Sequence, residues 1–94
     1  MAPALTDRVA TGPDVIFRAL GAEAILLNLE GGVYFGLDEV GCRIWQLVQD
    51  HDLEGASQAL AGEYDVSIDD ARRDVVAFVQ ALIDRGLLEP VRPR

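Results

Sequence analysis

The stretch GGVYFGLDEVGCRIWQLV, Gly31–Val48, decides how the chain folds. Two glycines open it, supplying a turn because they take positive φ at little cost. Val33, Phe35 and Leu37 then alternate with Tyr34 and Gly36, as in a strand with one face on a core. Asp38 follows as an N-cap, and Val40, Ile44, Leu47 and Val48 recur at helical spacing with Trp45 on the flank. A strand therefore runs into an amphipathic helix through a single capping residue.

Working outward, DVIFRAL (Asp14–Leu20) and EAILLNL (Glu23–Leu29) read as two earlier strands with Gly21-Ala22 between them. With Val33–Leu37 they make a three-stranded antiparallel meander. Beyond Asp50, Asp52 caps a second helix to about Tyr64, with Leu53, Ala56 and Leu60 as its apolar row. Ser67 and Asp70 form a capping box with Asp in place of the usual Glu. Ile68, Ala71, Val75, Val79 and Leu82 then share one face of a third helix. Gly86 stands where a left-handed cap belongs, and Pro90 stops further structure. Strands first and helices after predict an α+β fold, a three-stranded antiparallel sheet followed by three helices, winged helix-turn-helix-like. Residues 1–13 read as a flexible N-terminus and 14–91 as the domain.

Composition limits function. The 94 residues suit one domain. Sixteen acidic residues against eight basic ones give a net charge of −8, and every basic residue is Arg. That balance disfavours phosphate backbones and anionic membranes. No apolar run approaches a membrane span and no secretory signal opens the chain, so a cytoplasmic setting is expected. Cys42 is alone, which rules out an internal disulfide.

Catalytic chemistry is hard to assemble from these residues. Cys42 and the single histidine, His51, lie nine residues apart, about 13 Å along a helix axis, too far for a thiolate–imidazole pair. Asp69, Asp70 and Asp74 lack a calcium-loop pattern and suit capping and a solvated face. No glycine loop has the phosphate-cradle pattern. The residues predict neither an enzyme nor a metal or cofactor site. A DNA-binding winged helix would place the third helix in the major groove, yet that helix sets Asp69, Asp70, Asp74 and Asp84 against Arg72, Arg73 and Arg85.

The ordered set ILLNLEGGVYFGLDEVGCRIWQLV, YDV and DVVAFVQALIDRGLL resembles the PqqD-like family over about Val15–Leu88. Members are recognition elements for leader peptides of ribosomally made, modified natural products. The wording YFGLDEVGCRIW is most similar to the stand-alone leader-binding proteins of lasso-peptide biosynthesis. The resemblance implies a non-catalytic adaptor that presents a precursor to a transglutaminase-like leader peptidase and an ATP-dependent cyclase. A PqqD-type chaperone serving a radical-SAM enzyme is the alternative within the family. In the family the leader adds as an antiparallel strand to the third strand's edge, beside the third helix. Carried onto this chain, the peptide-binding residues are Val33, Tyr34, Phe35, Gly36, Leu37, Asp70, Asp74, Phe78 and Ala81. Periodicity leaves the flank open: Asp74, Phe78 and Ala81 lie on one side of the helix, Arg72, Val76 and Ile83 on the other.

Overall fold

The computed structural model describes residues 3–91. Its elements are β1 (Arg8–Thr11), β2 (Val15–Leu20), β3 (Glu23–Asn28), β4 (Val33–Leu37), α1 (Glu39–Asp50), α2 (Leu53–Tyr64), α3 (Ile68–Asp84) and β5 (Leu88–Val91). The α+β class and the antiparallel meander β2-β3-β4 are as expected, with β3 central. Leu26 of β3 stands opposite Phe17 on one side and Phe35 on the other. Cross-strand partners share a face, so Ala24, Leu26, Phe35 and Leu37 look toward the helices while Ile25, Leu27 and Tyr34 look away.

Local chemistry starts each helix. The carboxylates of Asp38 and Asp52 each accept the amide three residues on, from Gly41 and Gly55, at 2.7 Å. Ser67 Oγ accepts from the Asp70 amide at 3.1 Å. Only that half of the capping box forms, because the Asp70 carboxylate turns to Arg73 at 3.2 Å. Asp65 ends α2 at φ 54°, and Gly86 at φ 71° turns the chain out of α3. The winged helix-turn-helix-like order follows, with α2 and α3 joined across Asp65–Ser67.

Pro90, expected to stop further structure, lies within a strand, and residues 8–11 of the stretch read as a flexible N-terminus, whose first two residues lie outside the described ones, form another. β1 and β5 pair antiparallel, Arg8 opposite Val91 and Val9 opposite Pro90. A proline is tolerated because a two-stranded ribbon is all edge, so a missing donor can face outward. The segment before β1 is also tied down. The carbonyls of Asp7 and Leu5 accept the Leu53 and Glu54 amides at 3.0 and 2.8 Å, two of the donors that the first turn of α2 cannot satisfy itself. Gly12 closes the connection: its amide reaches the Leu87 carbonyl at 3.1 Å, and a Cβ there would stand 2.6 Å from the Gly86 carbonyl oxygen.

The core is aliphatic, with Leu26, Val48, Leu53, Val75, Val79, Leu82, Leu87 and Leu88 fully buried. Trp45, expected on a flank, is buried in the core, with the Phe17 ring stacked parallel to it, centroids 6.1 Å apart. Outside the core, Arg72 of α3 clamps Glu54 of α2 through two hydrogen bonds, at 2.8 and 2.6 Å. Hydrogen bonding from Arg72 holds the Glu54 carboxyl down at about 2. A carboxyl depressed on folding adds stability above its ordinary range near 4.5, and that addition is lost as pH falls toward 2. Glu54→Gln is therefore expected to lower the unfolding temperature at pH 6 and to match the parent near pH 2. Thermal unfolding across that range checks it.

Candidate functional site

β4 is an edge strand: β3 pairs with one side of it, and no described strand pairs with the other. Exposed edges usually carry charge, proline or a cover, whereas this one reads Val-Tyr-Phe-Gly-Leu. Its backbone donors and acceptors are available at alternate residues, flanked by apolar side chains.

Beside that edge lies a cavity of about 310 Å³ lined by Phe35, Gly36, Leu37, Asp38, Gly41 and Phe78. Four residues singled out from the sequence meet here: Phe35, Gly36, Leu37 and Phe78. Leu37 is buried and Phe35 and Phe78 are half-buried against the core. Gly36 presents bare backbone, with nothing within 4 Å of where its Cβ would be. At Gly41 a Cβ would stand in ordinary contact with the Phe78 ring, at 3.5 Å, and tight against the capping Asp38 carboxylate, at 3.2 Å.

The other sequence candidates lie around this cavity. Asp74 and Ala81 share the Phe78 side of α3 by helical spacing, Asp74 exposed and Ala81 half-buried. Asp70, a further turn back, is exposed and engaged with Arg73. Val33 is partly exposed, and Tyr34, 73% exposed, stands on the outer sheet face beside Leu27. Val76, on the competing flank, lines a separate depression with Leu5, Arg72, Arg73, Ala77 and Gln80. It is thus the Phe78 flank that lies along β4.

Three neighbours escaped the sequence reading. Asp38 and Gly41 line the cavity, and Arg85 lays its guanidinium 5.0 Å above the Phe35 ring. The available signal for Gly41 was its place three residues after the capping Asp38, whose carboxylate takes its amide. Nothing local marks Arg85, which reads simply as a cation at a helix C-terminus.

The two residues weighed for nucleophilic chemistry have different surroundings. Cys42 is buried, its Sγ 3.9 Å from the Leu37 carbonyl. Burial, with Asp38 and Glu23 adding to it, pushes its thiol up from the ordinary value, away from thiolate. His51 is exposed at the C-cap of α1. Among the described residues no group of three His, Cys, Asp or Glu is placed to hold a metal ion, and no helix is long and apolar enough to cross a membrane.

The family model for PqqD, coenzyme PQQ synthesis protein D, matches residues 23–88. The chain belongs to the PqqD family. The match starts at β3 and ends at the first residue of β5, so it takes in β4 and α3. Among solved structures, this PqqD-family chain is similar to TbiB1 in complex with the TbiA(beta) leader peptide. Identity is 36% with a TM-score of 0.80, over 88% of this chain and 98% of that one. It is also similar to a lasso peptide synthetase B1 complexed with the leader peptide, at 28% identity and a TM-score of 0.81, over 88% and 99%. No curated protein matches it.

Proposed function

We propose that this PqqD-family chain captures the leader segment of a ribosomally synthesised precursor, of the lasso-peptide type, by β-addition to β4. It then presents the precursor to a transglutaminase-like leader peptidase and an ATP-dependent cyclase, and itself makes and breaks no covalent bond. The observation that carries this reading is the uncovered β4 edge beside the Phe78 cavity. The fold supports it, being shared with two proteins solved with leader peptides. The lasso assignment is preferred over delivery to a radical-SAM enzyme because one of those two proteins is a lasso peptide synthetase B1.

Energetics divide the work. Each strand hydrogen bond contributes about 0.5–1.5 kcal/mol after exchange with water, and ordering a disordered leader offsets several of them. Apolar anchors give about 1.5–3 kcal/mol each when buried. Edge bonds set register, and anchors in the Phe78 cavity set affinity, which places the dissociation constant between nanomolar and micromolar. The duplex-binding alternative has the charge of α3 against it. Asp69, Asp70, Asp74 and Asp84 line the helix, while Arg72 and Arg73 are held by Glu54, Asp69 and Asp70.

Salt separates the two readings. Fluorescence anisotropy with a labelled leader, the TbiA(beta) leader as first probe, should show affinity changing by less than about tenfold between 50 and 200 mM salt. A duplex complex with six or more phosphate contacts would lose about a thousandfold over that range. Steep, tight binding to a labelled duplex with no leader binding would overturn the adaptor reading.

A further inference from the structure

The row on α3 that runs along β4 carries opposite charges at its two ends. Asp74 and Arg85 are eleven residues apart, three helical turns to within about 20°, and about 16 Å along the axis. Phe78 and Ala81 lie between them on the same side. Phe78 shares the cavity with Leu37 and Asp38. Arg85 lies over Phe35, and Asn28, paired opposite Val33, donates to the Gly86 carbonyl at 3.5 Å. Thus α3 runs opposite to β4, with its Asp74 end past Leu37 and its Arg85 end toward Val33.

Among the described residues, neither charge is in an ion pair; the pairs join Arg43 to Glu63, Arg72 to Glu54 and Asp69, and Arg73 to Asp70. Arg85 uses one guanidinium N–H on the Ala81 carbonyl at 3.0 Å, leaving others to donate. Asp38 adds a second carboxylate at the Leu37 end, where it takes only the Gly41 amide.

We infer that this groove reads the order of charges along the peptide. The inference rests on the reading of β4 as the peptide edge. An incoming antiparallel strand has its N-terminal part at the Leu37 end. A basic residue there faces Asp74 and Asp38, the apolar anchor fills the Phe78 cavity, and an acidic residue follows to face Arg85. At about 3.3 Å per residue the span covers roughly four to six residues, and because both charges face α3 their spacing is even. A peptide of the same composition with its charges exchanged sets like against like at both ends, so the pair fixes direction and register. The acidic requirement is the discriminating one, because a protein of net charge −8 repels acidic peptides elsewhere.

A display library of random fifteen-residue peptides, selected on the full chain, tests this. Selected peptides should carry Lys or Arg before an apolar anchor and Asp or Glu after it. One such peptide should bind about four- to thirtyfold more tightly than its charge-exchanged isomer, the span expected when two rim pairs turn from attractive to repulsive. The double variant Asp74→Arg, Arg85→Glu should invert that preference; both positions are exposed, and thermal unfolding confirms that it folds. Peptides that lose affinity on Phe78→Ala yet show no charge order would sink the inference and leave the groove standing. Selection of no Phe78-dependent peptide would remove both.

Discussion

Phe78→Ala is expected to weaken leader binding by about 1–3 kcal/mol, the loss that follows from truncating one apolar anchor surface. In dissociation constants this is roughly five- to more than a hundredfold. Phe78 forms one wall of the cavity beside β4 and meets Gly41 at the start of α1. Because it also packs against the core, the variant must be shown to be folded by its thermal transition before its affinity is read. Val76→Ala is the matched control on the opposite flank, where it lines a separate depression. A folded Phe78→Ala with unchanged affinity, beside a weakened Val76→Ala, would move the peptide to the other side of α3.

Leu26→Ala is expected to give the largest loss of stability, about 2–5 kcal/mol. Leu26 is fully buried on the central strand, between Phe17 and Phe35. Its loss opens a cavity under both rings, one stacked on Trp45 and the other beneath Arg85. For a domain of this size each kcal/mol moves the midpoint by about 4–8 °C, so thermal unfolding should drop by about 10–30 °C. A shift of only a few degrees would mean that the sheet collapses readily onto the helices, contrary to the packing described.

The elements legible in the sequence are those whose causes are local. Asp38 and Asp52 reach amides three residues away, and Gly86 turns the chain by its own φ. The ribbon of β1 and β5 was not legible because its cause is a pairing between Arg8–Thr11 and Leu88–Val91, opposite ends of the chain. Within β1 only Val9 is buried, too little for a period to show. Trp45 misled for a similar reason, since the ring stacked on it, Phe17, comes from another element. At the site, helical spacing placed Asp74, Phe78 and Ala81 on one side of α3 but left open which side meets the sheet. Contacts made far along the chain decide that: Phe78 at Gly41, Arg85 over Phe35, and Asn28 to Gly86.

The most direct test is amide hydrogen exchange of the chain with and without a bound leader peptide. The sheet has two edge strands, β2 and β4, so the measurement has an internal comparison. Addition of a strand to β4 predicts that the outward amides within residues 33–37 slow by about tenfold or more on binding, as free donors become paired. Amides of residues 15–20 should keep their rates. Protection along 15–20 with none at 33–37 would contradict the assignment of β4 as the strand that receives the leader.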